Sequence, residues 1–109
     1  MPGTPFTLEY YLDDNGEAPF IRWLEGLRDR AARARIAVRL DRIRLGNFGQ
    51  VKALGDGVCE LKIDYGPGYR VYYAMRGQTV VLLLIGGDKA TQARDIRMAK
   101  TYWQQDKEG

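Results

Sequence analysis

Residues 58–89 read VCELKIDYGPGYRVYYAMRGQTVVLLLIGGDK, and the periodicity of this stretch decides the fold. Cys59, Leu61 and Ile63 alternate with Glu60, Lys62 and Asp64. Tyr69, Val71, Tyr73 and Met75 alternate with Arg70, Tyr72, Ala74 and Arg76. A period of two with one apolar and one polar side is the mark of a β-strand. Gly66-Pro67-Gly68 and Arg76-Gly77-Gln78 supply turns, so three consecutive antiparallel strands are expected. The third, Thr79 to Ile85, is an almost unbroken apolar run suited to burial on both faces.

Residues directly opposite one another in a strand pair share a face, so parity constrains the register. A loop over Asp64 to Gly68 sets Ile63 against Tyr69 and Lys62 against Arg70. Two cations side by side destabilise a sheet unless an anion arrives between them. The plainer alternative leaves both stems on a solvated face, neutralised by Glu60 and Asp64.

Outward from this core, Phe6 to Leu12 (FTLEYYL) is rich in strand-forming residues and ends at the Asp13-Asp14-Asn15-Gly16 turn cluster. Pro19 suits a first helical position, with Phe20, Trp23, Leu24 and Leu27 as one apolar stripe. A second helix is expected from about Asp29 to Leu45, with Ala32, Ile36, Leu40 and Ile43 inward and Gly46-Asn47 as its stop. Val51 to Leu54 suits a short strand or lead-in. A last helix over about Ala90 to Gln104 would turn Ala93, Ile96, Ala99 and Trp103 inward.

The 109 residues suit one domain over 1–109 with a core at about 6–104, in a chain of net charge +3. The charge is segregated. Residues 22–44 hold eight arginines against Glu25, Asp29 and Asp41, whereas the residues before Arg22 hold four acids and no base. A basic helix face is ordinarily solvated surface, but arginine in preference to lysine also suits planar contact with phosphate. The single cysteine, Cys59, excludes an internal disulfide and reads as a small core residue in a reducing compartment. No apolar run approaches the roughly eighteen residues of a membrane span, and no secretory leader is apparent, so a cytoplasmic location is expected.

The chain has no histidine, which removes paired-histidine RNA cleavage and Ser-His or Cys-His nucleophiles. No Cys/His set suits zinc and no acidic trio has two-metal spacing, so neither metal nor cofactor is expected. Gly86-Gly87 before a helix suggests a phosphate loop, but the glycine and lysine spacing is not that of a Walker motif. What remains possible there is Lys89 beside the first helical amides, or simply a tight exit from a buried strand.

The run GVCELKIDYGPGYRVYYAMRGQTVVLLLIGGDKATQARDIRMAK resembles the C-terminal half of a RelE/ParE-superfamily toxin, of the phage-derived HigB-like addiction module killer group. Phe20-Ile21-Arg22-Trp23-Leu24 and the arginine-rich helix ending in Gly46-Asn47-Phe48-Gly49 are similar to that group too. The resemblance covers about residues 6–104. It implies an α+β fold, with two N-terminal helices packed on a mainly antiparallel sheet of four to five strands and a C-terminal helix. It also implies a type II toxin that cuts messenger RNA in the ribosome without metal, neutralised by a cognate helix-turn-helix antitoxin through which alone it would meet operator DNA.

By the same resemblance Arg70 contacts the scissile phosphate, Lys62 activates the ribose 2′-hydroxyl and Lys89 serves the leaving oxygen. Gln92 and Arg94 belong to the shared GDKATQ-R-D block and are expected to touch RNA. Tyr72 substitutes for a tyrosine that this chain lacks after Lys89, and Arg35, Arg39 and Arg42 would grip ribosomal RNA. A lysine base needs burial or cationic neighbours, which the Lys62-Arg70 apposition would provide. Two alternatives share the fold: a ParE-like, non-enzymatic inhibitor of DNA gyrase, and a degenerate toxin acting only in an antitoxin–DNA complex.

Overall fold

A computed structural model describes residues 5–109. The chain runs β1 (Thr7–Tyr10), α1 (Pro19–Gly26), α2 (Arg30–Arg44), β2 (Val51–Ala53), β3 (Val58–Ile63), β4 (Tyr69–Arg76), β5 (Val80–Gly87), a 3-10 turn (Lys89–Thr91) and α3 (Gln92–Glu108). The five strands form one sheet in the order β1-β5-β4-β3-β2. All pairs are antiparallel except β1 with β5. The α+β expectation, with two N-terminal helices and one C-terminal helix, therefore holds.

The helix starts follow from capping. Asp29 lies one residue before α2, and its carboxylate accepts from the amides of Ala31 (2.9 Å) and Ala32 (3.1 Å), satisfying donors that no carbonyl can reach. Ala32, Ile36, Leu40 and Ile43, at helical spacing, are all buried. They join Phe20 from α1 against Leu61, Ile63, Tyr69, Val71, Tyr73, Val81 and Leu83 on one face of the sheet. Burying each large apolar side chain stabilises by about 1.5–3 kcal/mol. Cys59 packs at the edge of this cluster, half-buried.

Of the registers parity allows, Ile63 against Tyr69 or Val71, the structure has the one the five-residue loop selects, with Lys62 opposite Arg70 and Ile63 opposite Tyr69. Two expectations about the other face need correction. The side of β4 carrying Arg70, Tyr72 and Ala74 is buried rather than solvated, and Tyr72, Ala74, Leu82, Leu84 and Ala99 belong to a second cluster beneath α3. The inner stripe of α3 is also rotated from the one expected. Ala93 is exposed, and Asp95 is wholly buried in its stead.

The first departure follows from α3 lying over that face, and the end of β5 is irregular as well. Tyr72 pairs with Ile85 and Tyr73 with Leu83, so Leu84 is an extra residue and the strand bulges there. Leu84 and Ile85 consequently both face α3, and the strand continues through Gly86 and Gly87, which were expected to end it. A Cβ on Gly86 would overlap the Trp23 ring, and a Cβ on Gly87 would overlap the Asp95 carboxylate. The glycine pair lets one helical side chain lie against bare strand on each face.

Candidate functional site

Across three neighbouring strands Lys62 pairs with Arg70 and Arg70 pairs with Gly87. Above Gly87, on the α3 side, sit Asp95 and Thr91, joined by a 2.5 Å hydrogen bond from the threonine hydroxyl. Arg70 is only 7% exposed. Its Nη1 donates to the Gly68 carbonyl at 2.7 Å, while its Nε lies 3.8 Å from Glu60 Oε2 and is without a hydrogen-bond partner. Glu60, also buried, accepts from Gln92 Nε2 at 2.9 Å. A chain of groups thus runs Gln92, Glu60, Arg70, Gly68 under the first turn of α3.

Tyr72 is fully buried beside this chain, and its hydroxyl makes no hydrogen bond. Burial first, then the nearby Glu60 carboxylate, push its phenol upward, so the neutral hydroxyl persists. It is not on a surface that RNA can reach, a correction to its expected contact.

The turn above Arg70 brings in Lys89. A Cβ on Gly68, whose φ is +80°, would come 3.3 Å from Arg70 Nη1 and 3.9 Å from Lys89 Cβ, so the exposed lysine hangs over the same turn. The amides that open this helical segment are not free for an anion. Asp88 accepts from the amides of Ala90 (2.9 Å) and Thr91 (3.3 Å), capping them with the chain's own carboxylate.

Lys62 faces the other way, out of the closed cluster. Its side chain is 55% exposed and Nζ lies 3.6 Å from Asp64 Oδ1. The burial that a lysine base requires is therefore absent, and both partners of the expected cation pair have carboxylates beside them. Because β2 pairs with β3 only as far as Leu61, the sheet edge at Lys62 is open, and Arg39 closes it. Arg39 Nη1 donates to the Lys62 carbonyl at 2.9 Å and Nη2 to the Phe48 carbonyl at 3.4 Å. Partial burial, then the neighbouring Arg42, lower the Arg39 pKa from its usual value. Arg39 thus fastens the end of β3 to α2.

Arg39, Arg42 and Lys62 line one concavity of about 310 Å3. Arg35 lies along the same helix with its guanidinium 4.4 Å from the Tyr65 ring centre. Arg94 is elsewhere, on the outward side of α3, bonded to Asp95 Oδ1 at 3.3–3.4 Å and 62% exposed. The structure therefore groups Arg70, Lys89 and Gln92 around one turn, sets Lys62 with Arg39 and Arg42 in an adjoining open groove, and separates Arg94 from both.

The burial of two carboxylates escaped the sequence reading: alternation puts Glu60 on a solvated face, and Asp95 stands only as the last letter of the GDKATQ-R-D block. The signal for Asp95 was its place four residues before Ala99 on the inward stripe, opposite a glycine that leaves room for it. Among the described residues no cluster of three His, Cys, Asp or Glu side chains could hold a metal ion, and no helix is long and apolar enough to cross a membrane.

The family model described as "Phage derived protein Gp49-like (DUF891)" matches residues 22–104. A Haemophilus influenzae protein described only as uncharacterized is 46% identical over 86 residues, which is 79% of this chain and 87% of that protein.

Proposed function

The chain belongs to the phage-derived Gp49-like family, a RelE/HigB-like family of addiction-module toxins, and on that premise we propose that it is a metal-independent endoribonuclease acting on messenger RNA in the ribosome. The observation that carries the reading is the gathering of Arg70, Lys89 and Gln92 around the Gly68 turn, beside the open groove that Lys62 lines. Cleavage without metal or histidine needs the ribose 2′-oxygen to attack phosphorus while the bond to the 5′-oxygen breaks, leaving a cyclic phosphate and a free 5′-hydroxyl. Arg70 is the group for charge building on the phosphorane oxygens, since a guanidinium offers two parallel donors. Lys89 serves the leaving oxygen, and Lys62, exposed beside Asp64, orients the 2′-hydroxyl, whose proton passes to water. Glu60 holds Arg70 in the free chain, and substrate phosphate replaces it, with Gln92 as the neighbouring donor. Arg35 and Arg42 grip RNA backbone, while Arg39 holds the strand that carries Lys62.

The partner implied is a helix-turn-helix antitoxin encoded alongside, which also carries the toxin to operator DNA. A second reading, non-enzymatic inhibition of DNA gyrase, is favoured by one observation: Arg70 is buried and already faces a carboxylate, while the groove of Arg39, Arg42 and Lys62 stands open for binding. Expression without the antitoxin, followed by primer extension on cellular messages, separates the two. Cuts within translated codons that vanish with Lys89→Ala support the nuclease. Intact messages with blocked supercoiling support gyrase inhibition.

A further inference from the structure

A second concavity lies at the opposite edge of the sheet from the groove of Lys62. β1 and β5 are adjacent and parallel, yet the chain leaving β1 enters α1 on one face and the chain leaving β5 enters α3 on the other. Where two such connections diverge, a crevice opens beyond the carboxyl ends of the strands, and in α/β sheets that is where ligands bind. Here the last β1–β5 pair is Tyr10 with Leu83, while β5 runs on to Gly87, so residues 84–87 have no strand on that side. The resulting cleft of about 490 Å3 is walled by Trp23 of α1 and by Met98 and Tyr102 of α3, with Ile85 and Gly86 as its floor.

Its charge is specific. Arg22 reaches it from α1 and Arg94 from α3, and both guanidiniums are more than half exposed, at 60% and 62%. Each has one acidic neighbour, Glu17 for Arg22 and the buried Asp95 for Arg94, which orients the group and leaves donors free. Asp13 lies at the rim. Burial, then Asp13, push the Tyr102 phenol up, Arg22 opposes them, and all three residues line the same cleft. Tyr102 stacks on Tyr11 at 4.7 Å, so one ring face is fixed by the core.

We propose that this cleft binds one nucleotide, its phosphate held between Arg22 and Arg94 and its base laid against Trp23 and Tyr102. Two guanidiniums lining one aromatic slot suit a planar ring joined to an anion, whereas a bare anion would have no use for the slot. The half-buried Asp13 carboxylate accepts from the amides of Asn15 and Glu17 through Oδ1, which leaves Oδ2 to accept from an exocyclic amine or a ribose hydroxyl. The site does not depend on the toxin reading, and it gives Arg94 a place distinct from the Arg70 cluster.

The test is titration of the full-length, nitrogen-15-labelled chain, following its two indole N–H resonances. Trp103 packs against Gly57 and serves as the internal control. Adenosine and uridine 5′-monophosphates and a four-nucleotide single-stranded RNA should move the Trp23 resonance and leave that of Trp103 in place. Arg22→Gln, at a solvent-exposed pair, should weaken the monophosphates by about tenfold, the loss of one charged contact, and leave adenosine unaffected. Equal affinity for RNA and monophosphate identifies a free nucleotide as the ligand, and tighter RNA binding identifies a strand. Saturation by inorganic phosphate alone at the same concentration, a Trp23 resonance unmoved at millimolar nucleotide, or indifference to Arg22→Gln would overturn the proposal.

Discussion

Under α1 and α2 the sheet presents Leu61, Ile63, Val71, Tyr73, Val81 and Leu83, with no charged group among its buried residues. Under α3 the same strands present Glu60 and Arg70 to Asp95 and Gln92 beside a smaller apolar cluster. Apolar burial stabilises wherever shapes fit, whereas a buried ion pair must recover the cost of removing two charges from water and often only breaks even. The first face therefore holds the fold, and the second holds charges in a fixed place at little or no gain in stability. Charge kept at such cost is the reason to look for function under α3.

The sharpest way to break this contrast is to remove one charge. Arg70→Ala leaves Glu60 buried without its cation and should lower unfolding stability by about 3–5 kcal/mol. The double substitution Glu60→Gln with Arg70→Gln should lose roughly half of that or less, because no charge is stranded. Urea midpoints of the two variants decide the matter. Equal losses would mean that Arg70 contributes by packing and that the face under α3 is an ordinary core. The same comparison warns that loss of activity in Arg70→Ala alone reports unfolding as much as chemistry.

The glycine pair probes both faces at once. Gly86→Ala drives a methyl into the Trp23 ring and Gly87→Ala drives one into Asp95, so each should cost about 1–3 kcal/mol by overpacking. Trp23→Leu should rescue the first variant and not the second, whereas Asp95→Ala should rescue only the second. Thermal denaturation of the four combinations checks this, and cross-rescue would show that the two faces do not act independently.

How much of this could be read in advance divides along the same line. The register of β3 with β4 followed from parity, which allowed Ile63 to oppose Tyr69 or Val71, and from the five-residue loop over Asp64 to Gly68, which selects Tyr69. The inner face of α2 followed from its period. What lay hidden was the second face. A polar side chain in an alternating strand looks solvated unless one knows that another helix lies over it, and α3 is far along the chain. The bulge at Leu84 was equally invisible, since an apolar run carries no parity to violate. Of the site, the positions of Lys62 and Arg70 were legible. The carboxylates beside them, Glu60 and Asp64, were legible too, but the burial of Glu60 with Arg70 and the turning of Arg39 to backbone carbonyls belong to tertiary contacts that no spacing encodes.

Two adjacent tyrosines extend the comparison to alkaline pH. Tyr73 faces α2 and Tyr72 faces α3, and burial raises both phenols above their ordinary value, with Cys59 adding to the first and Glu60 to the second. A raised folded pKa for an acid means that the unfolded chain releases its proton first. The stability each neutral phenol contributes is complete below about pH 10 and is lost above it, at about 1.4 kcal/mol per pH unit per tyrosine. Tyr72→Phe and Tyr73→Phe should each remove that one tyrosine's share from a slope to which Tyr11, Tyr69 and Tyr102, also raised, contribute, in denaturant titrations above pH 10. At neutral pH Tyr72→Phe should be neutral or slightly stabilising, because the hydroxyl has no partner to lose.

The smallest effects on stability belong to the open groove, and there the readout is binding. Arg35→Gln and Arg42→Gln remove solvated charges from α2 and should change unfolding stability by about 0.5 kcal/mol or less, apart from the Arg35 contact with Tyr65, worth about 0.5–1 kcal/mol. If both guanidiniums hold single-stranded RNA backbone, the double variant should flatten the slope of log affinity against log salt by about 1.4, some 0.7 for each phosphate contact removed. Arg39→Gln should behave otherwise: its guanidinium already serves the carbonyls of Lys62 and Phe48, so it should lower stability and loosen the end of β3. A slope unchanged in the double variant would make α2 plain solvated surface and confine RNA contact to the turn that carries Arg70 and Lys89.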